Sequence, residues 1–358
     1  GADLAPEVAA LRSEVTRLNA RMATRPALSG AKADADPARA AFAERYLRKG
    51  LESGAEIKSL TIGSDAGGGY AVPREIDALI DVTLKAVSPI RSIASVVSIG
   101  SANYRKLIAV GGVASGWVAE TAGRPEAGTE TFVEVAPPMG ELYANPAASQ
   151  AMLDDAMFDV EGWLAGEIGA EFARAEGSAF VSGTGIGRPR GFLAYATAAT
   201  DDTTRPFGTL QYVASGAAGA FAAASPQDKL IDLVHALRAP YRQGASWVMN
   251  ASTLAKVRKM KDGQGQFLWA PSLSADTPAT LLGYPVIEAE AMPDVGVDSL
   301  SIAFGNFKAG YLIAERSNTA VLRDPYSNKP FVHFYATRRV GGAVVNSEAI
   351  KLMKFAVS

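Results

Sequence analysis

The sequence predicts a mixed fold of the α+β class, and three observations carry that reading. Leu4, Val8, Leu11, Val15, Leu18 and Met22 are spaced 4, 3, 4, 3 and 4 residues apart, the a/d seam of a coiled coil. A second amphipathic pattern recurs every three or four residues from Leu153 to Phe172. The tail instead holds four runs rich in Val, Ile, Phe and Tyr, near 299–305, 310–323, 330–338 and 343–356, a strand composition.

In chain order, the N-terminal heptads are too few for a helix that stands alone in water, so this segment needs a partner helix. Residues 23–40, ATRPALSGAKADADPARA, read as a linker. Asp36 then caps a short helix with Pro37 at its first position; Phe42, Tyr46 and Leu47 form its apolar face and Gly50 ends it. In EIKSLTIGSDAGGGYAVP (56–73), three glycines before an extended Tyr-Ala-Val-Pro predict an arm running over a surface. Residues 74–87 read as a helix with Ile76, Leu79, Ile80, Val82 and Val87 on one side, stopped by Ser88-Pro89.

Two strand-like runs follow, YRKLIAVGGVASGWVAE (104–120) and TETFVEVAPPMGELYA (129–144), around a turn-rich tip at 121–128. A hairpin with so little core of its own must find an apolar face on a neighbour. The strongest helix comes next. Asp154 and Asp155 sit at its predicted start, where negative charge suits the helix dipole. Leu153, Met157, Val160, Leu164, Ile168 and Phe172 line it, and it runs to about Ser182, a rod of roughly 40 Å. Gly162, Gly166 and Gly169 inside it mark sites of close packing. GTGIGRPRGFL (183–193) is a loop that matches neither G-x-G-x-x-G nor a P-loop. Beyond 225, Ser225-Pro226 opens a helix through Leu230, Leu233, Val234 and Leu237. Trp247-Val-Met is a strand, Asn250 or Ser252 caps a further helix, and Leu281-Leu-Gly-Tyr-Pro-Val-Ile turns into another strand. DPYSNKP (324–330) is a turn.

Composition narrows the chemistry. At 48% hydrophobic and 20% charged residues the chain is able to bury a core. A formal net charge of -2 supplies no global basic field for nucleic acid. No apolar stretch approaches the roughly 20 residues of a membrane span. Without cysteine there is no disulfide, thiolate nucleophile or Cys-ligated metal. The two histidines read as structural, His235 in an amphipathic helix and His333 in an alternating strand. No G-x-S-x-G, H-E-x-x-H, EF-hand or Walker sequence occurs. Asp154-Asp155 is a helix start rather than a catalytic dyad, and Glu288 and Glu290 fall on one solvated strand face. The sequence therefore assigns no catalytic, cofactor-binding or metal-ligating residue and reads as a structural protein.

Taken in order, these features resemble major capsid proteins of the Hong Kong 97-type family, the shell subunits of tailed bacteriophages, prophages and gene transfer agents. AFAERYLRKG…KSLTIGSDAGGGYAVP is similar to the junction of propeptide and mature arm. The hairpin tipped by AETAGRPEAG resembles the extended loop, ASQAMLDDAMFDVEGWLAGEIGAEFARAEGSAFVSGTGIGRPRGFL the spine helix and its loop, and KMKDGQGQFLWAP…TLLGYPV the axial domain.

The resemblance implies a Hong Kong 97-like capsid fold. Its parts would be a scaffolding-like segment (1–58), an N-terminal arm (59–80), part of a peripheral domain (81–100) and an extended loop (101–147). A spine helix with more of the peripheral domain (148–197), an axial domain (198–308) and C-terminal peripheral strands (309–358) would follow. It implies self-assembly as hexamers and pentamers into an icosahedral shell around double-stranded DNA held without sequence specificity. Portal and head-completion proteins would be partners, no membrane is involved, and assembly would occur in a bacterial host cytoplasm. It further implies a maturation protease cutting near Lys58-Ser59.

One departure from the family matters. The type member welds its shell with an isopeptide bond from a loop-tip Lys to an Asn, with a Glu as catalyst. The matching positions here are Arg124, a site near Pro330 and a site near Thr337. A guanidinium is not a nucleophile at neutral pH, so no autocatalytic crosslink is expected. Shell contacts then rest on non-covalent area, with Trp117, Phe132, Val133 and Leu142 as apolar candidates and Arg124 and Glu126 placed to pair with charges on the next subunit. The glycine-rich segments 111–116, 123–128 and 183–187 are expected to absorb the difference between rings of six and five. An encapsulin-like nanocompartment shell and a hydrolase with a dimerising helix are the rival readings.

Overall fold

The computed structural model describes residues 47, 70–71, 74–100, 104–110, 131–154, 159–223, 225–261, 280–316 and 319–357. The heptads, the linker, Lys58, Ser59, Trp117 of the first hairpin run, and the hairpin tip with Arg124 and Glu126 lie outside the described residues.

The first half contains β1 (Tyr70–Ala71), α1 (Arg74–Val87), α2 (Pro89–Ile93), β2 (Ser95–Ser98), β3 (Lys106–Val110) and β4 (Thr131–Val135). Then come β5 (Met139–Ala144), β6 (Ala147–Ser149), α3 (Gln150–Asp154) and α4 (Val160–Ser182). After a 3-10 turn follow β7 (Thr197–Ala198), β8 (Leu210–Ala214), β9 (Gly216–Ala217), β10 (Ala220–Phe221), α5 (Pro226–Ala236), α6 (Ala239–Arg242), β11 (Ser246–Met249) and α7 (Ala251–Arg258). The remainder is β12 (Thr280–Leu281), β13 (Tyr284–Glu288), β14 (Ile302–Gly305), α8 (Phe307–Gly310), β15 (Tyr311–Glu315), β16 (Ala320–Asp324), β17 (Phe331–Val344) and β18 (Ile350–Lys354).

Strand β17 organises the first sheet, whose path is β1-β16-β17-β15-β2, with β5 and β6 paired to β17 as well. Its alternation is strict: Val332, Phe334, Ala336, Arg338 and Val340 are buried, whereas Phe331, Tyr335 and Arg339 face outward. The apolar members of the buried set face α4 and α1. Phe334 shares one cluster with Leu164, Ile168 and Phe172 of α4 and with Ile80 and Leu84 of α1. Gly169 makes that approach possible, because a Cβ there would stand 2.9 Å from the Thr83 side chain of α1. Gly166 meets no such neighbour, and Gly162 is filled by the side chain of Asp159. Of the three glycines expected at close contacts, Gly169 alone sits against another element.

The start of the long helix is a correction. Asp159, not Asp154 or Asp155, caps it, accepting from the Gly162 amide at 3.0 Å. Asp154 closes α3 and accepts from Gln150 Nε2 at 2.9 Å. Asp155 lies outside the described residues. Leu153 reaches the same core from α3, and Met157 lies outside the described residues. The helix has 23 residues, about 35 Å at 1.5 Å per residue.

The second sheet runs β12-β13-β11-β14-β18-β8-β7. One face is covered by Leu230 and Leu233 of α5 and Leu254 and Val257 of α7. The other carries Val248, Ala303 and Leu352 into a cluster with Ile90, Phe180, Phe307 and Tyr311, which joins it to the first sheet. Asn250 caps α7 by accepting from the Thr253 amide at 2.8 Å. The tail holds five strands rather than four: the run 310–323 divides into β15 and β16, and β17 continues past 338 to Val344. Glu288 ends β13, but Glu290 stands in the following turn, beyond buried Ala289, so the two do not share a strand face. His235 lies in α5 and His333 in β17.

Candidate assembly surface

Two groups of exposed apolar side chains stand out. The first is the hairpin of β3 and β4, paired antiparallel from Lys106↔Val135 to Val110↔Thr131. A two-stranded ribbon buries little by itself. Leu107 is 68% exposed and Phe132 61%. Pairing places both on one face with Ala109 and Glu134, while Val133 lies half-buried on the other with Ile108. An exposed ion pair, Arg105 to Glu134 at 2.6 Å, closes its base.

The second predicted run of the hairpin does not continue as one strand. Pro137 and Pro138 break it, since proline offers no amide to a ladder. β5 beyond them turns back to pair with β17 from Met139↔Gly341 to Ala144↔Ala336. Leu142 is therefore not a hairpin contact. It packs against the core under the first sheet. The second exposed group is the outer face of that sheet. There Tyr143 stacks with Tyr335 at a centroid distance of 6.0 Å, and Phe331 is 43% exposed. These three escaped the sequence reading, although the period-2 pattern of β17 already sets Phe331 and Tyr335 opposite Phe334.

The interior charges are consumed by one another. Arg91 of α2 donates from Nε and Nη2 to both carboxylate oxygens of Glu176 on α4, each at 3.0 Å, and from Nη1 to Glu315 of β15 at 2.5 Å. Arg338 of β17 donates to the same Glu315 oxygen at 3.1 Å. Two guanidinium groups and two carboxylates thus lock the long helix to the sheet. Burial would lower the pKa of Arg91, but Glu176 and Glu315 outweigh it and raise it. Burial pushes the Glu176 carboxyl upward, with Arg91 opposing. A second cluster gathers Arg205, Lys351 and Arg238 around Asp202. Lys351, fully buried on β18, also donates to Gln211 of β8 at 2.8 Å. Burial brings its pKa down to about 8.

A cavity of about 270 Å³ between β5, the last turns of α4 and the loop at Gly187–Pro189 is walled by small residues together with Leu142, Val340, Glu141, Glu176 and Arg188. The only carboxylate of α4 there is already held bidentate by Arg91. Among the described residues, no three His, Asp or Glu side chains converge as a metal-ligand set, and no helix is long and apolar enough to cross a membrane. The 183–191 loop is pinned rather than loose: Gly191 donates to Gly183, Arg190 to Gly342, and Tyr311 Oη to Arg190.

A subunit that pairs its buried charges and leaves apolar side chains on a projecting ribbon and an open sheet face belongs to the class of structural proteins completed by assembly. The particular family follows from comparison. The chain belongs to the phage capsid family, which matches residues 68–355. Among solved structures it is similar to the capsid of an empty GTA particle, with 49% identity, 75% of this chain and 90% of that one covered, and a TM-score of 0.69. The capsid of the native GTA particle gives 50% identity over the same shares and a TM-score of 0.68. A protein of Microbacterium phage Oxtober96 shares the fold at 12% identity, covering 75% of this chain and 91% of that one with a TM-score of 0.53. A search of curated proteins finds no match. The protein is a major capsid protein of the phage and gene-transfer-agent type.

Proposed function

We propose that copies of this chain form hexamers and pentamers that close into an icosahedral shell around double-stranded DNA, with no enzymatic activity of their own. The observation that carries this reading is the paired exposure of Leu107 and Phe132 on the β3–β4 hairpin and of Tyr143, Phe331 and Tyr335 on the sheet. A hairpin laid across a neighbour's sheet removes both from water, at about 25 cal/mol per Å² of apolar area. Contacts of this head-to-tail kind close into rings around an axis. Trp117 in the first run of the hairpin, Arg124 and Glu126 at its tip, and Phe132 and Val133 in its second run are the proposed contact residues.

The proposed division is an arm before about residue 80, the hairpin as extended loop, a peripheral unit built on α4 and the first sheet, and an axial unit on the second. Portal and head-completion proteins would meet the shell, and a protease would cut near Lys58-Ser59. Electron microscopy of the expressed chain tests the central claim: closed particles are expected, and a monodisperse monomer in every buffer would overturn it. Particles boiled in detergent are expected to run as monomers, because Arg124 cannot serve as the amine of an isopeptide bond. Intact mass on purified particles decides the processing step, and retention of residues 1–58 would refute it.

A further inference from the structure

A formal net charge of -2 hides a local imbalance on the second sheet. Helices α5 and α7 cover the same face of that sheet, and their outer surfaces differ in sign. On α5, Asp228 and Asp232 accompany Lys229, whose ammonium pairs with Asp232 at 3.1 Å. Residues 251–261, which hold α7 and the turn after it, contain no carboxylate. Lys256, Arg258, Lys259 and Lys261 are all exposed there, while Leu254, Val257 and Met260 enter the core. The acids near α7 stand at its other end. Glu290 accepts from the Ala251 amide at 3.4 Å, and Asp294 accepts from Asn250 at 2.8 Å and from Ser252. Among the described residues no ion pair holds Lys256 or Lys259.

We propose that this basic end of α7 is a contact surface for the phosphate backbone of duplex DNA, so that α7 faces the interior of the shell. The proposal rests on the reading of the chain as a DNA container and adds which face meets the contents. Lys256 and Arg258 suit the dipole at the last turn of α7. Lys259 and Lys261 lie past its final helical residue, where the dipole alone does not call for a further pair. Exposed cations with no acid among them attract a polyanion, whereas the mixed charges of α5 cancel locally. A lysine meets a phosphate as a point charge. Contacts of this kind position a duplex without reading its sequence. Each phosphate neutralised releases counterions, which gives a salt slope of about 0.9 per contact.

The test titrates a short fluorescent duplex with the full chain as unassembled subunits, at several salt concentrations. A variant carrying both Lys256→Gln and Lys259→Gln should flatten the slope of log affinity against log salt by about 1.8. Lys256→Arg with Lys259→Arg should keep the parental slope, and so should Lys229→Gln on α5. All variants should melt at the parental temperature, since the altered groups are exposed. A purely structural role would instead lower the melting midpoint of the glutamine variant and leave the slope alone. An unchanged slope in that variant would overturn the proposal, and so would a parent that ignores duplex at low salt. Particles supply a second readout. Lys256 and Lys259 should react with a small acylating reagent severalfold more slowly in DNA-filled particles than in emptied ones, with Lys229 equal in both. Equal labelling of α7 in the two would also overturn it. Micrographs report cage formation separately, and the titration needs no cage, so the DNA contact and the shell reading are decided independently.

Discussion

The sheet around β17 and the ribbon of β3 and β4 are built from the same residue types and end in opposite states. In β17 every second residue from Val332 to Val340 is buried, and Val332, Phe334 and Ala336 share a cluster with the long helix of the same chain. In the ribbon, Leu107 and Phe132 carry as much apolar surface and stay in water. The difference is not propensity but what lies on the other side. The sheet has α4 within the same chain, whereas among the described residues the ribbon has only its partner strand. Strand-forming sequence thus divides into a part that completes the fold and a part that awaits another copy.

The largest expected effect tests the first half of that contrast. Phe334→Ala should lower the unfolding free energy by about 3–5 kcal/mol, read by urea denaturation. Phe132→Ala should leave it within about 0.5 kcal/mol while sharply reducing particle yield. Equal destabilisation by both would erase the distinction. Next, Glu315→Ala leaves two buried guanidinium groups without their shared partner and should cost about 3 kcal/mol or more. A smaller loss would mean the network serves register rather than stability.

Lys351 sharpens the comparison through pH. Its pKa in the folded chain is about 8 against the ordinary 10.5. Between those values the unfolded chain holds a proton that the folded chain has released, so stability rises with pH across that window. Relative to Lys351→Met, the parent should gain roughly 3 kcal/mol over it. A falling curve would show that the pair with Asp202 outweighs burial. The smallest effect belongs to the ribbon: Glu134→Gln removes an exposed pair with Arg105 and should change monomer stability by less than about 1 kcal/mol.

How much was legible follows from the same contrast. The buried face of β17, the cap at Asn250, the proline that opens α5 at Pro226, and the apolar period of α4 are local patterns, and the sequence displays them directly. The family order of segments was legible for the same reason. The true start of α4 was not, because Asp154 and Asp159 are both plausible caps and only tertiary packing chooses Asp159. The break at Pro137-Pro138 was overlooked, although proline signals it. The charge network was hidden because its four members are separated by as many as 247 positions, from Arg91 to Arg338. The inward register of Arg338 between Ala336 and Val340 was the available hint. Leu47 falls on the apolar face expected of a short helix, but nothing in its own segment names Ile80 and Leu84 as members of the same cluster.

The two ionic clusters have a practical corollary. Dissolved salt weakens charges that water can reach and leaves enclosed ones nearly untouched. Arg91, Glu176 and Arg338 are enclosed, with side chains only 1% accessible. Concentrated salt is therefore expected to leave the fold of each building block intact, because the ions that lock its long helix to its sheet lie out of reach.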